Sequence, residues 1–489
     1  MSSLFYGSWN EHPHCCFNFI CIGGPMRIEK DSLGEKQVPK EAYYGIQTLR
    51  GFENFPISGL KEPEVLIRAY AFIKKAAAQV NCDLGVLNSD IAKAIIQAAD
   101  EVLSGKFQDQ FIIDVFQAGA GTSFHMNMNE VLANRACEIL GAKKGEYAKV
   151  NPNDHVNMAQ STNDTFPTAM RLSVLFEYGP LKEVLMGLID VFRAKGKEFD
   201  SVATSSRTHL QDAVPIRLGQ EFEAYAVMLE KALRRMKQAK EALTYLNLGA
   251  TASGTGMNSH PQYAAKMAET LSAFTKLPLK NPDNFVEIAQ STADFSDYSS
   301  ALKNLALDLT KIINDLRLLG SGPRVGLNEI RLPAVQPGSS IMPGKVNPSI
   351  LECANMVCYQ VIGNDLTVSM ASQAGQLQLN VMTPVMIYNL LFSSKILTNM
   401  MKMLASKCIQ GISANKEQCQ KYFEETLGLA TALNPIIGYA KAAEVVKESI
   451  QTGTSILKMI EQKGILTKEE IQKYLSAERL TTPGILKKQ

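Results

Sequence analysis

The segment ALKNLALDLTKIINDLRLLG, residues 301–320, decides the fold class. Its apolar residues Leu302, Leu305, Leu309, Ile312, Ile313, Leu316 and Leu319 recur at i, i+3, i+4 and i+7, the period of a helix with one buried face. Gly320 follows as a natural stop. Strand-like alternation is scarce here and elsewhere.

The same period recurs on both sides. Behind Pro215, read as part of a first helical turn, Leu218, Phe222, Tyr225, Leu229, Ala232, Met236, Leu243 and Leu246 run to Gly249. That stretch predicts a rod of roughly 45 Å. After Pro384, Ile387, Leu391, Ile396 and Met400 behave alike, with Met382 just ahead of it. A helix starting near Thr168 meets Gly179-Pro180, where a kink or short break is expected. Stripes wider than one partner covers favour bundling, within one chain or between chains. The C-terminal stretch reads as short helical pieces, one opened by a Thr467…Glu470 capping box. The expected class is all-α, with a long central helical bundle.

At 489 residues the chain can bury a large core and is expected to form two or three domains. Fifty basic against 48 acidic residues leave a net charge of +2, no footprint for nucleic acid or an acidic membrane surface. No apolar run approaches the ~18 residues of a membrane span. Nine scattered cysteines without CxxC spacing suggest reduced thiols in a cytoplasmic protein. Residues 1–25 hold Trp9, His12, His14, Cys15, Cys16 and Cys21 and no Lys or Arg, which fits neither a signal nor a transit peptide. They read as an extra leader, expected to be disordered.

Chemistry concentrates in GSSIMPGKVNP, residues 338–348. Ser339 and Ser340 are followed by a cation, Lys345, and an amide, Asn347, while Gly338, Pro343, Gly344 and Pro348 forbid a continuous helix. Such a loop can gather backbone N–H groups and an ammonium around a small anion, and the same field lowers the cost of a serine oxide. Three other polar segments fall at ends of helical runs: GAGTS (119–123), NPNDH to QSTND (151–164) and RTHLQD (207–212). Short hydroxyls and amides there cap helices and bind anions equally well. Other chemistries fail. GATASGTG (249–256) lacks the Gly-Lys-Ser/Thr of a P-loop, and GAG (119–121) has neither a third glycine nor a preceding strand. Ser339 has Met342, not Lys, three residues on, and the six histidines form no His-Glu-x-x-His set. No metal or cofactor is expected.

Together the four segments resemble those of the aspartase/fumarase superfamily, whose signature loop the 338–348 segment resembles most specifically. The resemblance runs from about Met26 to the C-terminus. AGAGTS (118–123), QSTND (160–164) and GQLQLNVM (375–382) resemble the aspartate ammonia-lyase versions more than the fumarase ones. It implies a three-domain, mostly helical subunit: an N-terminal domain over 26–162, a central bundle over 163–417 and a small helical domain over 418–489. It also implies a homotetramer whose active sites each draw on three chains. Ser339 matches the family's catalytic base. Thr122, Ser161, Thr162, Asn163, Thr208, Ser340, Lys345 and Asn347 match substrate contacts, and His209 and Glu352 match a histidine–carboxylate pair near the site. The implied reaction removes a Cβ proton from L-aspartate through an aci-carboxylate and releases ammonium, leaving fumarate. Fumarate hydration on the same scaffold, or a silent binding homologue, are the alternatives. His125, Ser206, Ser253 and Met356 depart from the usual pattern, and His125 is read as a satisfied buried histidine.

Overall fold

The structure is a computed structural model and describes residues 24–485. The leader expected over 1–25 therefore lies outside the described residues, apart from Gly24 and Pro25. The chain divides into two compact units, one of residues up to 61, 74–118 and 122–158, the other of 62–73, 119–121 and 159 onward.

In the first unit, β1 (Met26–Asp31) and β2 (Gly34–Pro39) form an antiparallel hairpin, Met26 opposite Pro39. Helices α1 (Ile46–Asn54), part of α2 (Glu64–Asp83), α3 (Ser89–Leu103) and α4 (Thr122–Ile139) complete it. Every residue of α4 from Ser123 to Asn134 is buried. Its polar side chains replace the backbone partners that surrounding loops lack. Asn134 donates to the Tyr43 carbonyl at 2.8 Å and accepts from Gly145 N at 2.7 Å. Asn127 accepts from Ile112 N at 3.1 Å.

Glu130 does the same for the start of α1, whose N-cap Gly45 has no side chain to offer. It accepts from Gly45 N, Gln47 N and Thr48 N at 2.8–3.0 Å and from Thr48 Oγ1 at 2.5 Å. Complete burial pushes its carboxyl up from 4.5 to about 7, against the pull of these donors. A folded-state value above the unfolded one means stability from this proton is full below pH 4.5 and lost as pH rises through about 7. Glu130→Gln mimics the protonated acid. Urea unfolding at pH 5 and pH 8 should show wild type losing ~2–3 kcal/mol relative to this variant. Equal losses in the two proteins would remove the assignment.

The second unit holds the long rods: α5 (Thr162–Glu198), α6 (Leu218–Ala242), α7 (Tyr263–Thr275), α8 (Phe285–Gln290), α9 (Ala293–Leu319), α10 (Ser349–Ser372) and α11 (Thr383–Lys407). α5 packs on α6 and α11, α9 on α6 and α10, and α10 on α11. The α9 stripe faces this core as its period requires, with Leu302, Leu305, Leu309, Ile312, Ile313 and Leu316 buried. Each such side chain contributes about 1.5–3 kcal/mol on leaving water. Arg171 of α5 is also fully buried, bonding Asn247 Oδ1, the Ala242 carbonyl and Asp294 Oδ2 at the start of α9 at 2.9–3.1 Å.

Three local readings change. Pro215 lies in β4 (Gln211–Arg217), paired with β3 (Ala203–Thr208), and not in a helix. A two-stranded ribbon tolerates the missing N–H, and α6 starts only at Leu218 behind a cap between Arg217 and Gln220. That helix ends at Ala242, so the rod has 25 residues and spans about 37 Å rather than 45 Å. Of the kink or short break expected at Gly179-Pro180, the break is absent. α5 runs for 37 residues, because buried Leu172, Leu175, Leu181, Leu185 and Leu188 hold both sides of the lost hydrogen bond. The capping box at Thr467 and Glu470 is present.

Beyond the rods, β5 (Ile330–Arg331) pairs with β6 (Ser413–Ala414), and α12 (Lys416–Glu425) follows. A smaller core of Phe423, Leu429, Leu433, Ile456, Ile460 and Leu475 gathers the C-terminal pieces and takes in Ala203 of β3. Among the described residues the fold is mainly helical, with three short antiparallel strand pairs. Among the described residues no helix is long and apolar enough to cross a membrane.

Candidate active site

The 338–348 loop runs straight into α10. Its neck is closed by Gly338 N donating to the Lys345 carbonyl at 2.8 Å, and by Asn347 Nδ2 donating to the Gly338 carbonyl at 2.5 Å. Only glycine fits at 338, since a Cβ would come within 2.5 Å of Asn347 N and 2.7 Å of the Lys345 carbonyl oxygen. Within the loop, Ser339 Oγ accepts from Met342 N at 2.9 Å and Ile341 N at 3.3 Å. Two backbone N–H dipoles thus point at the Ser339 oxygen, an arrangement that would stabilise negative charge placed there. Ser340 and Lys345 are exposed beside it, and Glu352 stands half-buried in the first turn of α10.

The other segments also open helices, where the macrodipole favours anions. Ser161 is the N-cap of α5, its Oγ accepting from Asn163 N at 3.2 Å. Thr162 and Asn163 form the first turn, and Asn163 Nδ2 donates to the Ala252 carbonyl at 2.7 Å. Thr122, exposed, is the first residue of α4 in the first unit. Thr208 and His209 are the exception, lying at the exposed tip of the β3–β4 hairpin. His209 and Leu210 both have positive φ, +55° and +58°. Two left-handed residues are what a two-residue hairpin turn requires, yet neither is the usual glycine or asparagine. Such strain, of order 1–3 kcal/mol per residue, concentrates at functional sites.

Among the described residues no hydrogen bond or ion pair joins His209 to Glu352, or the hairpin tip 208–210 to the 338–348 loop. Nor does any group of three or more His, Cys, Asp or Glu stand ready to hold a metal ion.

A lyase family model matches residues 34–363, and one for the fumarase C C-terminus matches 429–482. The chain belongs to the aspartase/fumarase superfamily. It is 51% identical to an aspartate ammonia-lyase of Bacillus subtilis, over 95% of this chain and 98% of that one. A crystal structure of a fumarate lyase:delta crystallin from Brucella melitensis, bound to cobalt, superposes with a TM-score of 0.92 at 49% identity, covering 94% of this chain and all of that one. A class II fumarase from Schistosoma mansoni gives 0.90 at 36% identity, covering 93% and 98%.

Two departures from the superfamily pattern now have physical accounts. His125 is buried with its Nε2 2.7 Å from Lys74 Nζ, and burial followed by that ammonium holds the imidazole well below its usual range. It is a satisfied buried histidine, as expected. Ser206 donates to the Val214 carbonyl across the hairpin. Met356 is exposed on α10, and nothing in the structure explains Ser253.

One brace escaped the sequence reading. Arg207, next to Thr208, lies 2.5 Å from buried Glu329 Oε1 and 4.9 Å over the Tyr422 ring. Glu329 also accepts from Thr204 Oγ1 at 3.1 Å, and burial pushes its carboxyl up despite Arg207. Arg207 was visible as part of RTHLQD, but its partner is far along the chain and carries no local signal. Removing one member of a buried pair costs about 3–5 kcal/mol. Glu329→Gln should therefore lower the thermal midpoint and loosen the hairpin tip, reducing kcat/KM by about 10–100-fold. Unchanged kinetics beside a lowered midpoint would show that the brace serves stability alone.

Proposed function

We propose that this protein is an aspartate ammonia-lyase, converting L-aspartate reversibly to fumarate and ammonium. The observation that carries the reading is the donor pair on Ser339 Oγ, in a chain about half identical to a named aspartate ammonia-lyase along nearly its whole length. Ser339, as its oxide, takes the Cβ proton and returns to a hydroxyl. The C–H electron pair passes into the adjacent carboxylate, giving a dianionic aci-carboxylate. That pair then forms the C=C bond as the C–N pair leaves on nitrogen as neutral ammonia, and the proton held by Ser339 is given up to make ammonium, restoring the oxide.

The second negative charge develops late, so donors already in place stabilise the transition state more than the substrate. Thr122, Ser161, Thr162 and Ser340 are assigned to that carboxylate. Thr208, Lys345 and Asn347 are assigned to the other, with Asn163 and His209 near the amino group and Glu352 behind His209. Asn347 is also committed to the loop neck, so its contribution includes holding the loop's shape.

The working form is a homotetramer with sites built from three chains. Exposed Met356, Tyr359, Leu366 and Met370 make an apolar stripe on α10 at the 3-4 spacing of a coiled-coil seam, which supports a second copy docking there. The cytoplasm is the proposed compartment, supported by six free cysteines among the described residues.

Following fumarate absorbance with L-aspartate and then L-malate as sole substrate tests the reading. Signal with aspartate alone supports it. Signal with malate alone makes the protein a fumarase, and silence in both makes it a binding homologue.

A further inference from the structure

The stretch 249–256 matches no phosphate-binding pattern, yet its backbone is held under unusual constraint. Thr251, buried and β-branched, sits at φ +53°, and its Oγ1 has no hydrogen-bond partner. Such a conformation costs about 1–3 kcal/mol and persists only where the surroundings impose it. Gly249, at φ +97°, presses so close to Ala264 that a Cβ would lie 2.4 Å from that methyl group.

What this turn achieves is a set of bonds to the start of α5. Thr251 N and Gly249 N donate to Asp164 Oδ2 at 3.0 and 3.3 Å. The Ala252 carbonyl accepts from Asn163 Nδ2 at 2.7 Å. Asp164 is fully buried, and its Oδ1 accepts from Ser161 N at 2.9 Å. An ordinary capping box needs only the bonds between Ser161 and Asp164. It has no use for a second segment bent into a left-handed turn to reach the same carboxyl group.

We propose that Asp164 is a positioning residue that locks Ser161, Thr162 and Asn163 onto the strained 249–252 turn, so that their donors match the aci-carboxylate rather than the resting substrate. This rests on the reading that those three residues bind substrate. Preset donors gain most where charge develops, and a misplacement of about 1 Å costs on the order of 100-fold.

The test uses the full-length assembled protein carrying Asp164→Asn, with two unreactive probes. Succinate imitates the resting dicarboxylate. The nitronate of 3-nitropropionate carries the planar, doubly charged geometry of the aci-carboxylate. Nitronate affinity and kcat/KM for L-aspartate should both fall about 100-fold, while succinate affinity falls less than about 5-fold. A merely structural role would weaken both probes alike, or lower only thermal stability, and either result overturns the inference. Should Asp164→Asn fail to assemble, Gly249→Ala displaces the turn without touching a charge and is judged on the same two affinities. Wild-type protein that releases no fumarate from L-aspartate overturns the functional reading and this inference together. An active wild type with an unchanged Asp164→Asn variant overturns the inference alone.

Discussion

Ser339→Ala is expected to assemble normally and bind succinate as wild type does, yet release fumarate from L-aspartate at least ~1,000-fold more slowly. The hydroxyl is the only group of residue 339 that can take a proton, and two N–H donors are aimed at its oxygen. Removing it leaves those donors with nothing to polarise. A thousandfold corresponds to about 4 kcal/mol of barrier, within the range for loss of a positioned base or oxyanion partner. The loss should appear in kcat with KM little changed, because an alanine at a half-buried loop position alters neither the neck of the loop nor the helix ends. Fumarate absorbance and succinate titration read the two quantities separately. A variant that retained near-normal turnover would move the base elsewhere, with neighbouring Ser340 the first group to examine.

The helical architecture was legible because its signal is local and repeated. The α9 stripe and the start of α11 after Pro384 each sit within a few turns of sequence, and the structure buries Leu302 to Leu316 of the first and Ile387, Leu391 and Met400 of the second, while Leu319 and Ile396 are half-buried and Met382 is exposed. The β3–β4 hairpin was not legible. ATSSRT and QDAVPIR alternate weakly, and their turn places His209 and Leu210 in left-handed backbone where glycine or asparagine would have announced it. Pro215 was misread for the same reason, since fixed φ suits a ribbon edge as well as a first helical turn.

The candidate site divides along similar lines. The 338–348 loop stands out because glycine, proline, hydroxyl, ammonium and amide are crowded into one segment. The groups that hold its neighbours in place do not stand out. Asp164 with Gly249 and Thr251, and Arg207 with Glu329, are partners brought together only by the packed rods and the C-terminal pieces. A single sequence records which residues could bond, and folding decides which pairs do.

Placing charge on the exposed seam of α10 should abolish activity without unfolding the chain. Met356, Tyr359, Leu366 and Met370 are 63%, 54%, 64% and 57% exposed, and Gly363 completes their 3-4 spacing. Tyr359 and Leu366 lie away from buried Leu351, Ala354, Cys358, Val361 and Val368, which already pack within the chain. The double variant Met356→Glu/Leu366→Glu therefore leaves the internal core intact while setting like charges against a second copy. Among the described residues no hydrogen bond or ion pair joins the hairpin tip to the 338–348 loop, and on the proposed reading that each site draws on three chains, a dissociated subunit should lack part of its donor set. Sedimentation should show the assembly replaced by smaller species with unchanged helical signal, and fumarate release should fall at least ~1,000-fold. Full turnover from a dissociated, folded subunit would show that one chain suffices for the site. A second arm makes the result positive rather than a loss. Ser339→Ala and Thr162→Ala proteins, each inactive alone, should regain activity when dissociated together and reassembled, because some mixed sites then draw both intact segments from different chains.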